Sequence, residues 1–314
     1  MDRVIQKPNS LVRFWLYCLE RFPPLQHGLI IAVFTFSAAA YSRILRGADG
    51  MVPWNTLLPG MLMVVSIFFL LRLFDEFKDK EEDKKYRPHL PVPRGLVSLD
   101  ELKIWILLVF LFQAAVLIFL QSSMWLFVVL ILVYLLLMRA EFFVPAWLKK
   151  RPMLYMLSHM LILPFTDWYA TGLDWHLEGT SMPAGLIYFL ILSYLNGMVI
   201  EVGRKIRPSD QEEPGQRTYS SIYGSRRAAL LWIMLLILTF IFAQVAAAYA
   251  GFGWLGALIL SLIFLATVYT GLRFLRNENL KYALAIEKAA GLWTLGMYLV
   301  LGAFPMLINL IKNI

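Results

Sequence analysis

Three aspartates, Asp75, Asp79 and Asp83, stand at i, i+4 and i+8 in the run from Leu70 to Pro88. On a helix that spacing lines them along one stripe, about 6 Å apart per turn. Carboxylates stacked so closely repel one another. A row of hard oxygen donors suits divalent cations that keep several waters and bind substrate phosphates, with Mg²⁺ the expected ion. Lys78, Lys80, Lys84, Lys85 and Arg87 are interleaved with the acids, and i,i+4 salt bridges on a solvated helix end would give much the same pattern.

A second polar cluster weights the choice towards metal and phosphate. It begins at Tyr194 and Asn196, continues through Glu201, Arg204, Lys205, Arg207, Pro208 and Asp210, and then reaches Glu212, Glu213, Gly215 and the stretch Thr218 to Gly224. Both clusters follow an apolar stretch and contain Arg-Pro, and each leads through a glycine to a hydroxyl residue three positions on, Gly95 to Ser98 and Gly215 to Thr218. An internal duplication fits this correspondence. If the two clusters face each other, carboxylates take Mg²⁺ and Arg and Lys take the remaining phosphate oxygens. The ligand so described is a diphosphate with an apolar tail.

Two further residues sit inside an apolar segment. Asp167 is a functional candidate because an ionisable group there is expensive, and Pro164, three residues earlier, frees backbone groups to line a cavity or a kink. It is read as an acceptor-binding or proton-accepting residue. His159 is open to two readings, that role or a structural hydrogen bond. Asp174, His176 and Glu178 are expected to be solvated in a loop.

The elements that must carry these groups are membrane helices. The 314 residues are 60% hydrophobic and 16% charged, with a mean hydropathy of +0.66, far above the apolar content of a soluble domain. A soluble enzyme and a disordered chain are thereby excluded. Apolar windows fall at 28–45, 54–74, 102–120, 123–139, 153–172, 184–203, 228–250, 253–272 and 289–311, which predicts nine crossings, all helical because isolated strands cannot satisfy their backbone in lipid. Both clusters then emerge on the same side. Of the 29 Lys and Arg, all but Arg43, Arg46 and Lys312 fall on that side too, which marks it as cytoplasmic and explains the net charge of +8 without nucleic acid. Residues 1–27 form no signal peptide, since Arg13, Glu20 and Arg21 interrupt the apolar stretch; with Ser10 as its cap, the segment reads as an amphipathic helix on the membrane surface, ahead of one membrane domain over 28–314. The single Cys18 rules out an intramolecular disulfide and a thiolate cluster.

With these residues in place, the chain resembles the UbiA superfamily of intramembrane prenyltransferases. The first family motif, NDxxDxxxD followed by Arg-Pro and Gly, is matched by Asp75-Glu76-Phe77-Lys78-Asp79-Lys80-Glu81-Glu82-Asp83, with Asp for Asn and Glu for the adjoining Asp, and by Arg87-Pro88 and Arg94-Gly95. The second, DxxxD and then a Gly and a hydroxyl residue, departs further: Glu201 and Lys205 replace the acidic pair, while Gly215, Thr218 and Gly224 keep their spacing. The resemblance implies nine helices in one bundle with a central lipid-accessible cavity, and Mg²⁺ on Asp75, Asp79 and Asp83 with help from Glu201 and Asp210. It also implies diphosphate contacts from Arg87, Arg94, Arg204 and Lys205. One metal would be weakly held or missing, with Lys205 compensating part of the diphosphate charge.

The expected activity is ionisation of an allylic isoprenoid diphosphate and transfer of the prenyl group to an apolar or aromatic acceptor, in a membrane such as a bacterial inner membrane. Alternatives are a terpene cyclase of the same superfamily, a cation or lipid transporter, and an inactive isoprenoid-binding protein. Midplane placement is usual for transport sites, and only Asp167 satisfies it. Phe69, Phe74 and Tyr194 are the aromatic residues nearest the clusters and receive no role.

Overall fold

In a computed structural model, residues 9–212 and 218–312 are described. The helices are α1 (Ser10–Arg21), α2 (Pro24–Leu45), α3 (Trp54–Lys78), α4 (Lys80–Tyr86), α5 (Leu99–Phe119), α6 (Trp125–Arg139), α7 (Pro145–Lys149), α8 (Pro152–Met160), α9 (Ile162–Trp175), α10 (Leu186–Gly203), α11 (Tyr219–Tyr223), α12 (Ser225–Tyr249), α13 (Gly253–Arg276), α14 (Leu280–Tyr298) and α15 (Phe304–Lys312). The described residues contain no strand. Eight helical segments among them are long and apolar enough to cross a membrane. The expected crossing at 153–172 is instead two shorter helices, α8 and α9, divided at Leu161. Pro164 accounts for the break, because it cannot donate to the carbonyl four residues back and its ring crowds that turn.

Leucines and isoleucines of α5 and α13, among them Leu107, Leu111, Leu262 and Leu265, point outward and are exposed. In water such a surface would aggregate; in lipid it is the expected face, and the chain is an integral, multi-pass membrane protein. Inside, small residues allow close helix approach. A Cβ on Gly302 would lie 2.0 Å from the carbonyl oxygen of Ser37, so only glycine admits α2 against the π-helical turn Leu299–Ala303 that joins α14 to α15.

Two expectations change here. The cap of α1 is Asn9, which accepts from the Val12 amide at 2.9 Å, and Ser10 is the first helical residue. Tyr17 and Cys18 of α1 pack with Leu73, Val97 and Leu102 in a small second core, leaving Leu11, Trp15 and Leu19 exposed. Asp174 is not solvated: it is fully buried at the end of α9, where Arg46 holds both its oxygens (2.7 and 2.8 Å), Arg43 donates at 3.0 Å and Ser42 at 2.8 Å. Glu178 accepts from the same two arginines at 2.5 and 2.6 Å. The two cations expected at the non-basic end thus neutralise two acids and tie α2 to α9.

Candidate functional site

α3 and α10 deliver the two polar clusters to opposite walls of a chamber of about 410 Å³. Its walls are apolar, from Ile31, Phe34, Val64, Phe68, Leu163 and Ile200; its mouth carries Arg72 and Asp75 from α3, and Glu201 and Arg204 from α10 and its cap. A smaller polar recess of about 220 Å³ lies at the same end, lined by Asp79, Glu82, Arg87, Glu141, Tyr155 and Lys205 among others. The two clusters therefore meet, with an apolar volume behind them.

The stripe of aspartates does not continue straight. α3 ends at Lys78, Asp79 takes φ −94° and ψ 7°, and α4 begins at Lys80. An unbroken helix would stack three like charges; the bend separates the third. Asp83 turns away into a different recess beside Glu76 and Lys80, where it is buried and paired with Arg87 at 2.8 Å. Asp75 lies between Lys78 (3.3 Å) and Arg72 (3.7 Å). Asp79 has no ion-pair partner within 4.0 Å among the described residues. Burial pushes its carboxyl up to about 6, Lys78 pulls it down, and Asp75, Asp83 and Glu82 push it further up. Lys78 also donates to the Tyr155 hydroxyl at 3.0 Å, bridging α3 to α8.

In the second cluster the acid is fully engaged but the cations outnumber it. Glu201 is buried, with one oxygen taken by Arg204 (2.5 Å) and the other by Lys205 (2.7 Å). Both hydroxyl residues that the sequence paired are helix caps: Ser98 forms a capping box with Glu101 on α5, and Thr218 accepts from the Ser221 amide on α11. Gly215 and Glu213 lie outside the described residues.

Besides Asp83, two expected site residues lie elsewhere. Arg94 is exposed and donates to Glu20 of α1 (2.5 and 2.8 Å) and to the His89 carbonyl, so it clips α1 to the loop after α4. Asp210 is exposed in a short turn outside both cavities. Glu76, at a motif position, is also used structurally: it is buried and accepts from Arg21 (2.6 Å) and Tyr17 (3.4 Å), which docks α1. His159 is buried with Nδ1 on the Tyr155 carbonyl (2.9 Å) and its ring stacked on Tyr155, and it lines neither cavity. Of the aromatic residues near the clusters, Phe69 packs on Phe14 and Phe22, Phe74 lies under Arg139, and Tyr194 donates to Leu157, whereas Phe68 lines the chamber.

Deep in the chamber, Asp167 is buried in its wall and accepts from Tyr298, with Ser193 3.3 Å from the same hydroxyl. Tyr298 and Glu141 carry no sequence signal beyond their type. Glu141 is buried at the polar recess and opens three consecutive residues with positive φ, Glu141, Phe142 and Phe143. Such backbone is rare outside glycine and costly to hold.

The donor chemistry fits a hard divalent cation on one side only. Asp75 and Asp79 offer oxygens a turn apart, and Asp79 has no ion-pair partner within 4.0 Å among the described residues; Glu201 has both oxygens occupied. Among the described residues no three acidic, His or Cys side chains form a cage, but Mg²⁺ is usually held by one or two carboxylates plus substrate phosphates.

The UbiA prenyltransferase family model matches residues 31–295. The chain belongs to that family. No match was found among curated proteins. Two solved structures share the fold. A digeranylgeranylglyceryl phosphate synthase is 14% identical with a TM-score of 0.65, over 92% of this chain and 97% of its own. An apo UbiA homologue from Aeropyrum pernix K1 is 13% identical with a TM-score of 0.62, over 86% of this chain and 97% of its own. Family and fold together support an intramembrane prenyltransferase-type function for this UbiA member.

Proposed function

We propose that the protein is a Mg²⁺-dependent prenyltransferase that ionises an allylic isoprenoid diphosphate and passes the prenyl group to an apolar or aromatic acceptor. The observation that carries this reading is a continuous apolar chamber whose mouth is ringed by Arg72, Asp75, Glu201 and Arg204. An isoprenoid chain fills the chamber and its diphosphate rests in the mouth and the adjoining polar recess.

Asp75 and Asp79 would hold Mg²⁺, which when bound offsets the charge that develops on the departing diphosphate. Arg204, Lys205 and Arg87 hold phosphate oxygens by charge-assisted hydrogen bonds; Glu201 fixes Arg204 and Lys205, and Asp83 fixes Arg87. Preorganised cations at the leaving group lower the barrier most when water is excluded, and Val64, Leu163 and Ile200 exclude it. The faces of Phe34 and Phe68 stabilise an allylic cation beside them. Asp167 serves the acceptor or takes its proton. The basic end of the bundle faces the cytoplasm, and α1 lies along that surface of the membrane with its exposed Leu11, Trp15 and Leu19 towards lipid.

The test is incubation of the purified protein with Mg²⁺ and allylic diphosphates of increasing chain length, with and without a membrane-lipid extract, following diphosphate release and product mass. Release that requires the extract is expected, and the mass difference identifies the acceptor. Release without it, yielding a hydrocarbon, would make the protein a cyclase; no release with any donor would overturn the enzymatic reading. Asp79→Ala should cut turnover by at least about 100-fold while the variant stays folded in detergent, and unchanged turnover would sink the metal assignment.

A further inference from the structure

Three acids (Asp79, Glu82, Glu141) and three cations (Arg87, Lys149, Lys205) line the polar recess among the described residues. The count balances, but the pairing does not. Lys205 is taken by Glu201 at 2.7 Å, Arg87 by Asp83 at 2.8 Å and Lys149 by Glu82 at 3.2 Å, and of those acids neither Glu201 nor Asp83 lines the recess. Asp79 and Glu141 remain. Neither has an ion-pair partner within 4.0 Å among the described residues.

Glu141 is the sharper case. It is 6% exposed and lines the recess, and its carboxylate has no hydrogen-bond or ion-pair partner among the described residues. The cation nearest to it in sequence, Arg139, sits over the rings of Phe74 and Phe77 at 5.3 Å from each. Lys78 is engaged with Asp75 and the Tyr155 hydroxyl. A carboxylate withdrawn from water without a counter-charge is costly, and two of them on one recess favour a cation between them. The acid is also held in place: Glu141, Phe142 and Phe143 keep φ of 46°, 53° and 61°, the Val144 amide donates to the Glu141 carbonyl, and the Phe142 ring meets Tyr134 and His159 edge to face. A ligand fixed before the ion arrives binds it with less ordering cost.

The resemblance assigns the second cluster's metal contacts to Glu201 and Asp210, and those residues do not fit. Both Glu201 oxygens are occupied, and Asp210 lies outside both cavities. We infer that Glu141, on the loop between α6 and α7 and outside both motifs, supplies the missing acid and with Asp79 holds a hydrated divalent cation in the recess. The inference deepens the proposed reading, with which it shares Asp79. Among the described lining residues none is His or Cys, so the donors are hard oxygens that suit Mg²⁺ or Mn²⁺ over Zn²⁺. Mg²⁺ keeps several waters, and a recess of about 220 Å³ admits an ion with part of that shell at about 30 Å³ per water. The cation also reconciles the two signs of charge on the recess wall. Asp79 and Glu141 alone would repel the diphosphate that Arg87 and Lys205 attract; with an ion on the acids, both sets of groups favour phosphate.

The test uses the full protein in detergent and Mn²⁺ alone, titrated by electron paramagnetic resonance without any diphosphate. Wild type should bind the ion, and Glu141→Gln should weaken binding about tenfold or more. Without metal, the unfolding midpoint of Glu141→Gln should equal or exceed that of wild type, because an uncompensated buried charge is gone. A lower midpoint with unchanged Mn²⁺ affinity would place Glu141 in the scaffold and overturn the inference. Glu141→Asn, whose side chain tolerates left-handed backbone, is the second variant and should lose the ion likewise. Glu82→Gln, at the acid already paired with Lys149, should keep its Mn²⁺ affinity; a loss there as large as at Glu141 would mean that diffuse negative charge attracts the ion, and the assignment would fall. A second titration adds a thiolo analogue of an allylic diphosphate. Wild type that takes up no Mn²⁺ in either titration overturns the site. Analogue binding with Mn²⁺ affinity indifferent to Glu141 overturns the site and leaves the transferase reading standing. Glu141-dependent Mn²⁺ binding in a protein that does not bind the analogue supports the site and overturns the transferase reading.

Discussion

The molecule has an ionic cluster at each end of its bundle, built from the same residue types and put to different ends. At the non-basic end Asp174 and Glu178 meet Arg43 and Arg46, one acid for each cation, with every Asp174 oxygen bonded and the carboxylate fully buried. At the basic end the groups border open cavities, Asp79 has no ion-pair partner within 4.0 Å among the described residues, and Arg204 and Lys205 flank Glu201 while lining the mouth and the recess. Closed, charge-balanced clusters join helices. A cluster left incomplete beside a cavity has capacity for a ligand, and that capacity, rather than acidity, separates site from scaffold.

The largest contrast comes from removing one acid at the closed end. Asp174→Ala leaves two arginines, whose side chains are 11% and 13% exposed, with Glu178 as their one remaining acid among the described residues, and breaking a buried pair costs about 3–5 kcal/mol. The thermal unfolding midpoint in detergent should fall well below that of the wild type, while diphosphate turnover at a temperature where the variant is folded should persist. Lost turnover with unchanged stability would reverse the assignment of the two ends. A smaller effect is expected at Lys205. Lys205→Met removes a charge-assisted hydrogen bond to phosphate, worth about tenfold or more in affinity, so the KM for the diphosphate should rise by that factor. Lys205→Asp places two acids a turn apart on the second cluster and should raise affinity for Mg²⁺, read by titration with Mn²⁺ as a spectroscopic probe. Unchanged metal affinity would make that helix end ionic scaffolding.

Much of this was legible in the residues, and what was missed has a common cause. Crossings follow from apolar run length, a property of contiguous sequence, and even the divided fifth crossing carries its marker in Pro164. The paired clusters were legible because residue type and local spacing define them. Partner choice was not. Arg94 read as a site residue from its motif position, yet Glu20 of α1 takes it across 74 residues, and Glu76, inside the motif, is held by Arg21 of α1 across 55. Asp174 read as solvated because its arginines are 128 and 131 residues away.

The mildest probe concerns Glu178, whose side chain is 39% exposed and so gains little from its ion pairs, under about 1 kcal/mol after screening. The hydrogen bond from Arg43, with help from Arg46, lowers its carboxyl below the usual 4.5. A carboxyl lowered on folding contributes stability that is fully present above its unfolded value and is lost as the pH falls through its folded one. Glu178→Gln should therefore be slightly less stable than wild type at pH 7, and the two unfolding midpoints should converge below pH 4.5 as the native glutamate is protonated. A constant gap down to pH 3 would assign the effect to packing and not to charge. A gap as large as that of Asp174→Ala would mean that the rim of the closed cluster, and not its buried centre, holds α2 to α9.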